Sequence, residues 1–164
     1  MDVKVSQGQA SQLLDYLNLI EKWNRVHNLT ALRDQEKMLS HHILDSLSVN
    51  AYVKVEKLLD VGSGAGIPGI PLAIINPNLS VILSDSNKKK STFQQQAIIE
   101  LGLKNVTVLA GRVEEIDTNV KFDGIISRAF SEISLFTKLT RSLLSADGKW
   151  FAMKGVYPEQ ELDD

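Results

Sequence analysis

The feature that most constrains the fold is a glycine-rich stretch that directly follows a short apolar run. Residues 58–66 read LLDVGSGAG, so an acid closes the apolar run and every second residue after it is glycine. The run suits a buried parallel strand. Gly62, Gly64 and Gly66 have no Cβ, so the backbone can turn sharply there and approach a ligand closely. This arrangement indicates a site for a nucleotide-like cofactor.

Asp60 narrows the choice of cofactor. Gly64, Gly66 and Gly69 also fit the G-x-G-x-x-G spacing of dinucleotide sites, where a pyrophosphate rests on the next helix. A carboxylate two residues before the first glycine would repel a pyrophosphate, but it would attract the ammonium group of S-adenosylmethionine. The pattern therefore favours S-adenosylmethionine, with a dinucleotide or an accidental glycine-rich turn as alternatives.

Size and composition predict one globular domain. The chain has 164 residues, 43% hydrophobic and 23% charged, which is enough for a sizeable core. It contains no apolar run of membrane-spanning length and no signal segment, so we expect a cytoplasmic protein without membrane association. The lack of cysteine excludes thiolate metal sites and a cysteine nucleophile. A net charge of −2 means that any RNA binding must use a local basic patch.

The first 50 residues predict two helices. Apolar residues recur three or four apart over 6–27, which predicts an amphipathic helix that ends at 28–30. Asp34 is a candidate cap for a second helix that reaches about Val49. The residues expected to be buried are Leu13, Leu14, Leu17, Ile20, Trp23 and Val26 in the first helix, and Met38, Leu39, Ile43, Leu44 and Leu47 in the second.

From residue 51 onward, short strands alternate with helices, a pattern typical of a parallel α/β sheet. The predicted strands are 58–61, 80–85, 106–110, 122–127 and 149–153, and the predicted helices are 69–75, 88–101 and 131–143, with a turn at 112–116. Segment 76–78, Gly102 and the pair Asp147-Gly148 are predicted to separate these elements. We expect residues 1–50 to form a helical cap within the same domain as the sheet of residues 51–164.

Two acids follow the second and third predicted strands, whose carboxyl ends are where open α/β sheets bind ligands. Asp85 lies about 20 residues beyond the glycine loop, where a carboxylate can accept both ribose hydroxyls. The alternative role for Asp85 is capping of the next helix. Glu114 is either a partner for adenine or an acid favoured by the dipole of a helix start.

Arg128 and Phe130 follow the fourth predicted strand, from which acceptor chemistry is usually arranged. The chain lacks the N-P-P-Y-type loop of amino-nitrogen methylation and the cysteine of carbon-5 methylation, and its histidines lie in the helical cap. These absences favour an acceptor that needs no deprotonation, such as guanine N7. Phe130 can stack on the ring and Arg128 can bind a base edge or phosphate. Alternatively, Arg128 pairs with a local acid and Phe130 packs in the core.

A smaller set of basic residues forms the candidate RNA contacts. They are Lys22 and Arg25 beside Trp23, Arg33, and the run Lys88-Lys89-Lys90. Three lysines in a first helical turn oppose the helix dipole, and phosphate contact is one reason for tolerating that cost. A solvated helix face is the other.

Several segments resemble one family, the bacterial small-subunit (16S) ribosomal RNA guanine-N7 methyltransferases, also called glucose-inhibited division protein B. The most specific are GIPGIP at 66–71 and SRAF at 127–130, supported by 22–25, 28–30, 42–46, 112–115, 122–124 and 154–155. The resemblance implies a Rossmann-like class I fold and methylation of a guanine in the small-subunit RNA, free or in the small ribosomal subunit, without a metal. It also implies S-adenosylmethionine contacts at Gly62, Ile67, Val113, Glu114 and Arg128.

The chain departs from the family pattern at its C-terminus. Family members end with two further strands, whereas this sequence stops at Glu161-Leu162-Asp163-Asp164 after the fifth predicted strand. We therefore expect a truncated sheet whose last strand, 149–153, has an apolar edge prone to association, and a monomer at full length. A small-molecule methyltransferase of the same fold, or a non-catalytic module that binds cofactor or RNA, are the alternative functions.

Overall fold

A computed structural model describes residues 3–128, 130–155 and 158–159. Its centre is a sheet of five parallel strands in the order β3-β2-β1-β4-β5, which confirms the predicted parallel α/β architecture. The strands are β1 (Lys57–Val61), β2 (Ser80–Asp85), β3 (Val106–Ala110), β4 (Phe122–Arg128) and β5 (Leu144–Met153). Residues 161–164, at the end of the sequence, lie outside the described residues.

Six α-helices accompany the sheet within these ranges. They are α1 (Gln7–His27), α2 (Gln35–Met38), α3 (Asp45–Ser48), α4 (Gly69–Ile75), α5 (Lys88–Leu101) and α6 (Ile133–Thr140). Helices α1, α4 and α5 share a hydrophobic cluster on one face of the sheet, and Phe136 of α6 packs on the other face. Among the described residues, no helix is long and apolar enough to cross a membrane.

Helix α1 begins and ends as its sequence dictates. Ser6 and Gln9 form a reciprocal capping box, and Asn28 ends the helix in the left-handed region at φ 49°. The expected stripe was partly wrong, because Leu14 is 55% exposed and Val26 is 74% exposed. The residues that face the interior are Leu13, Tyr16, Leu17, Leu19, Ile20 and Asn24. Leu14 and Val26 lie off the face that contacts α4 and α5.

The second predicted helix is not continuous. Asp34 does cap its start, but a π-helical turn at Leu39–Leu44 separates α2 from α3. A π turn is wider than an α turn, so it changes which side chains face inward. Leu39 and Leu44, which were expected to be buried, are 39% and 50% exposed. His42 and Ser46 are buried instead.

Strand β5 is longer than predicted. It contains Asp147-Gly148, which the sequence had indicated as a separator between elements. From Phe122↔Leu144 to Gly124↔Lys149, β5 advances five residues while β4 advances two, so the pair lies in a bulge. Helix α6 also ends earlier than predicted, and a 3₁₀ turn at Arg141–Leu143 follows it.

The strand order places a topological switch point between β1 and β4. The chain moves from β1 outward to β3 on one side of the sheet, then returns to β4 and β5 on the other. In such sheets the ligand crevice opens at the carboxyl ends of the strands on either side of the switch. The loops after β1, β2, β3 and β4 therefore define where a site can form.

Candidate active site

A cavity of about 230 Å³ opens at the carboxyl edge of the sheet. It is lined by Val61, Gly62, Ser84, Asp85, Ser86, Gly111, Arg112, Val113, Glu114, Phe130 and Leu139. Five of the predicted site residues are in this lining: Gly62, Asp85, Val113, Glu114 and Phe130. Asp60, Gly64, Gly66, Ile67 and Arg128 lie outside the lining.

The glycine loop after β1 leaves open space beside its backbone. Gly62 and Gly64 have φ values of 66° and 59°, and a Cβ added to either would meet nothing within 4 Å. Gly66, at φ 87°, has a different role, because an added Cβ would lie 2.5 Å from Ile70 Cδ1 in α4. The first two glycines therefore leave room for a ligand. The third lets the loop pack on the helix, and Ile67, which follows it, is buried in the core.

Asp85 fastens the glycine loop to the end of β2. Its Oδ2 accepts a 2.8 Å hydrogen bond from Gly64 N, and its Oδ1 accepts one of 2.8 Å from Asn87 N. The capping alternative for Asp85 is wrong, because the side chain of Asn87 caps α5 by accepting from Lys89 N and Lys90 N. Each carboxylate oxygen can accept a further bond, so the ribose contact of Asp85 stays a prediction.

Two buried side chains that the sequence reasoning missed also hold the loop. Gln94 Nε2 donates to Ser63 Oγ at 2.9 Å and to Gly64 O at 2.7 Å. The Tyr16 hydroxyl donates to Ala65 O at 2.5 Å. Burial raises the pKa of Tyr16 well above its usual value, so it remains a donor. A glutamine on the buried face of α5 was the signal for the first contact, and none indicated the second.

Asp60 lies beneath the loop rather than in the cavity. It is fully buried, and its Oδ2 accepts a 2.8 Å hydrogen bond from Gly69 N at the start of α4. Burial raises the pKa of Asp60 to about 7, although the bond from Gly69 and the charge of Arg128 act in the opposite direction. Its Oδ1 has no hydrogen-bond partner among the described residues. The predicted contact between Asp60 and the cofactor stays a prediction.

The loop after β3 supplies the opposite wall of the cavity. Val113 is buried and begins a 3₁₀ turn, Val113–Glu115. The carboxylate of Glu115, in the same turn, accepts a 3.2 Å hydrogen bond from Arg112 N at the start of the turn. Glu114 is exposed and lines the cavity. Its predicted contact with adenine is untested.

The side chain of Arg128 extends from β4 to the π-helical turn Leu39–Leu44 rather than into the cavity. Its Nη1 donates to His41 O at 2.7 Å, and both terminal nitrogens lie 3.4 Å from His42 Nδ1. Asp45 is the local acid expected in the alternative interpretation. Its Oδ2 lies 3.7 Å from Arg128 Nη1, so the ion pair is a loose one. The sequence had placed the histidines away from the sheet. In the structure, however, His42 reaches the end of β4.

Phe130 has features of both interpretations offered for it. Its ring centroid lies 5.5 Å from that of Phe136, and it packs against the buried apolar residues on the face of the sheet that α6 covers. It also lines the cavity. Lys154 Nζ donates to Phe130 O at 3.1 Å, which connects this loop to the end of β5.

The candidate RNA contacts differ in their surroundings. Arg25 pairs with Glu21 at 2.9 Å, and Arg33 donates to Asn24 O and Asn28 Oδ1. Trp23 packs edge-on against Phe93 of α5, at 5.6 Å between ring centroids. Lys22, Lys88 and Lys89 are exposed, and Lys90 is half-buried.

The chemistry of the cavity fits an adenosyl cofactor with a cationic amino-acid end. The cavity has a carboxylate at Asp85 and apolar walls at Val113 and Phe130, and the glycine loop beside it leaves open space at Gly62 and Gly64. Beneath that loop, outside the lining, Asp60 Oδ1 has no partner in the described structure. No cluster of three or more metal-ligating side chains occurs in the part of the chain that the structure describes.

Comparisons with known proteins agree with this geometry. Residues 9–164 match the family described as GidB, rRNA small subunit methyltransferase G. Ribosomal RNA small subunit methyltransferase G of Methylobacillus flagellatus is 57% identical over 151 residues, covering 92% of this chain and 74% of that protein. The protein of the same name from Laribacter hongkongensis is 51% identical over 162 residues, covering 99% and 78%.

The fold is shared more widely. Coclaurine N-methyltransferase, solved with N-methylheliamine and S-adenosylhomocysteine, superposes with a TM-score of 0.61 at 18% identity, covering 85% of this chain and 43% of that one. The Rossmann-like methyltransferase fold and the family resemblance predicted from the sequence are therefore both confirmed. The chain belongs to the rRNA small subunit methyltransferase G family.

Proposed function

We propose that this protein transfers a methyl group from S-adenosylmethionine to N7 of a guanine in the RNA of the small ribosomal subunit. The observation that carries the proposal is family membership over residues 9–164, combined with a cavity at the switch point of a methyltransferase sheet. S-adenosylmethionine is the cofactor, and it supplies an electrophilic methyl group on a sulfonium.

The residues proposed to hold the cofactor surround the glycine loop. Gly62, Gly64, Gly66 and Ile67 form the loop and its packing, and Asp60 lies beneath it. Asp85 receives the ribose, and Val113 with Glu114 receives the adenine. The open space at Gly62 and Gly64 and the position of Asp85 beside Gly64 N support this assignment. Because the loop is held by Asp85, Gln94 and Tyr16, little reorganisation is needed on binding.

Guanine N7 carries an in-plane lone pair, so its methylation requires alignment rather than proton removal. Phe130 is proposed to stack on the guanine, where its face favours the positive charge that the ring acquires. Arg128 is proposed to contact the cofactor and to bind a base edge or phosphate. Its 26% exposed side chain leaves part of the guanidinium accessible beside its partners in the helical segment.

The RNA backbone is proposed to cross the start of α5. Lys88 and Lys89 are exposed there and follow Ser86, which lines the cavity. Replacing both lysines with alanine should weaken RNA binding. It should also reduce the slope of log affinity against log salt concentration by about one unit for each lysine that binds a phosphate. Lys104→Ala, just before β3 and thus near the amino edge of the sheet, is the matched control. Equal salt slopes for all three proteins would contradict this position.

Three further expectations remain proposals. Residues 1–50 act as a helical cap within the same domain as residues 51–164, since α1 shares its hydrophobic cluster with α4 and α5. The full-length enzyme is a monomer. It works in the cytoplasm, where its ribosomal substrate is assembled.

A transfer assay tests the proposed activity. The protein is incubated with methyl-tritiated S-adenosylmethionine and either small-subunit RNA, assembled small subunits or a small-molecule extract. We expect label in the RNA or the subunit and none in the extract. Label confined to the extract would indicate a small-molecule methyltransferase, and no transfer with retained cofactor binding would indicate a non-catalytic module.

A further inference from the structure

The contact between His42 and Arg128 joins two segments that are 86 residues apart in the chain. His42 lies in the π-helical turn Leu39–Leu44 and is buried, with 4% of its surface exposed. Its ring faces Arg128 on one side and Thr30, in the loop after α1, on the other. A buried imidazole between two polar side chains needs a defined protonation state.

The partners of the ring determine that state. Arginine can only donate hydrogen bonds, so a bond from either terminal nitrogen of Arg128, each 3.4 Å from His42 Nδ1, requires that Nδ1 carry no proton. In that tautomer the proton of the neutral ring is on Nε2, which can donate to Thr30 Oγ1, 3.0 Å away. Burial lowers the pKa of His42 to about 4, with the charge of Arg128 acting in the same direction. The ring is therefore a neutral acceptor at physiological pH.

The π turn presents a second acceptor to the same guanidinium. His41 O accepts from Arg128 Nη1 at 2.7 Å, so the backbone and the next side chain of one turn together meet the arginine. Asp45, the first residue of α3, adds a looser contact at 3.7 Å. π turns are often found at functional sites, because the wider turn directs groups that a regular helix would not.

Thr30 connects this arrangement to α1. Its backbone N–H donates to Asn24 Oδ1 at 3.0 Å, and Asn24 is buried within α1. Leu32 N donates to Thr30 Oγ1 at 3.3 Å, and the second lone pair of that oxygen can accept from the histidine. The position of the ring is thus fixed from the side opposite to Arg128.

We propose that His42, fixed by Thr30, is a positioning residue that orients the guanidinium of Arg128 at the methyl-donor site. The inference rests on the proposed function, because Arg128 is assigned there to the cofactor and the substrate. It adds a role for the helical segment, since an acceptor on the π turn sets the direction in which a side chain from β4 points.

The test uses a double-mutant cycle in cofactor binding, measured by calorimetry with S-adenosylhomocysteine. His42→Phe removes the acceptor, and His42→Asn keeps an oxygen where Nδ1 lies. We expect Arg128→Ala and His42→Phe each to weaken binding by about tenfold, and the double variant to lose no more than Arg128→Ala alone. His42→Asn should retain affinity within about threefold of the natural protein. Additive losses, or equal losses in the Phe and Asn variants, would mean that His42 only packs, and would overturn the inference.

Substitution of the threonine extends the test. Thr30→Val removes the partner of Nε2, whereas Thr137→Val removes a hydroxyl whose bonds in the described structure stay within α6, and it is the matched control. We expect Thr30→Val to weaken cofactor binding by about threefold and Thr137→Val to leave it unchanged. Equal affinities for both variants would overturn the role of Thr30.

Nitrogen NMR of the histidines separates this inference from the proposed function. We expect the His42 Nδ1 signal to be that of an unprotonated nitrogen and to move in Arg128→Ala, while the signals of His27 stay in place. An unmoved Nδ1 signal would overturn the inference whatever the enzyme methylates. A moved signal in a protein that methylates no RNA would leave the inference standing and would refute the proposed function.

Discussion

The two halves of the site are built differently. Around the glycine loop, which we call the cofactor side, Tyr16, Asp60, Asp85 and Gln94 are fully or nearly buried, and their hydrogen bonds to the loop and to the start of α4 measure 2.5 Å to 2.9 Å. At the end of β4, which we call the acceptor side, Arg128 is partly exposed: it has one short hydrogen bond, of 2.7 Å to His41 O, and its other contacts are 3.4 Å to His42 and 3.7 Å to Asp45. Sites for small cofactors are usually preformed, whereas surfaces that bind a macromolecule more often rearrange. The difference therefore matches a preformed site beside an adjustable one.

The largest effect on folding is expected on the cofactor side, at Gly69. A Cβ there would lie 2.4 Å from Leu83 Cδ2 and 2.8 Å from Asp60 Oδ2, both of which are buried. Gly69→Ala should lower the free energy of unfolding by about 1–3 kcal/mol through overpacking. The control is Gly64→Ala, which meets nothing within 4 Å and carries only the strain of its φ of 59°. If urea denaturation shows the two variants equally stable, the close packing under the loop is wrong.

Asp85 and Asp45 allow a direct comparison of the two sides. Asp85→Ala removes two 2.8 Å hydrogen bonds and the proposed ribose contact, and should weaken S-adenosylmethionine binding by about 1–3 kcal/mol. Asp45→Ala removes a 3.7 Å contact of a half-exposed side chain and should change binding by less than about 1 kcal/mol. Calorimetry on both variants checks this order. A larger loss for Asp45→Ala would reverse the comparison.

Each side also contains a buried titratable group, and their effects on stability oppose each other. The pKa of Asp60 is raised from 3.8 to about 7, so the folded state holds the extra proton and stability falls as the pH rises through that window. The pKa of His42 is lowered from 6.5 to about 4, so the unfolded state holds the extra proton and stability rises with pH in that window. Between about pH 4 and 6.5, where the two windows overlap, the two opposite slopes of unfolding free energy against pH largely cancel in the natural protein.

Substitution of either group should expose the slope of the other. Between pH 5 and 6, Asp60→Asn should become more stable as the pH rises and His42→Phe less stable, each by up to about 1.4 kcal/mol per pH unit. Urea denaturation across that range measures both slopes. Parallel pH profiles in the two variants would refute the assigned shifts.

The smallest expected effect is on the chemical step. Because guanine N7 needs no general base, kcat at saturating cofactor should be nearly constant from about pH 6 to 9. A pH dependence near neutrality should appear instead in cofactor affinity, since the pKa of Asp60 is raised to about 7. If kcat rose tenfold per pH unit and one substitution abolished that rise, the acceptor side would contain a general base.

The cofactor side could largely be predicted from the sequence, because its signals are local. The strand that ends at Val61, the glycines that follow it and Asp85 at the end of β2 each have a pattern with a physical cause. The first residue of α5 was predicted correctly. Asp85, however, was offered as a possible cap of this helix, and the structure shows that Asn87 is the cap. Both residues are acceptors, and spacing alone does not distinguish them.

The acceptor side could not be predicted in the same way. The contact of His42 with Arg128 depends on a π turn, which has no periodic signature in residues 39–44, and on a separation of 86 residues along the chain. The bracing of the loop by Tyr16 depends likewise on how α1 packs on the sheet. Patterns along a chain report neighbours within an element, and these contacts join elements.

Mapping the methylated atom shows whether the methyl group is transferred to guanine N7. Small-subunit RNA methylated by this protein is treated with borohydride and aniline, which cleave at 7-methylguanine, and the cleavage sites are read by primer extension. We expect cleavage at one guanine, which depends on both the protein and S-adenosylmethionine and is strongly reduced in Arg128→Ala. Methyl label incorporated into RNA that remains uncleaved would show methylation at another atom and would refute methylation at N7.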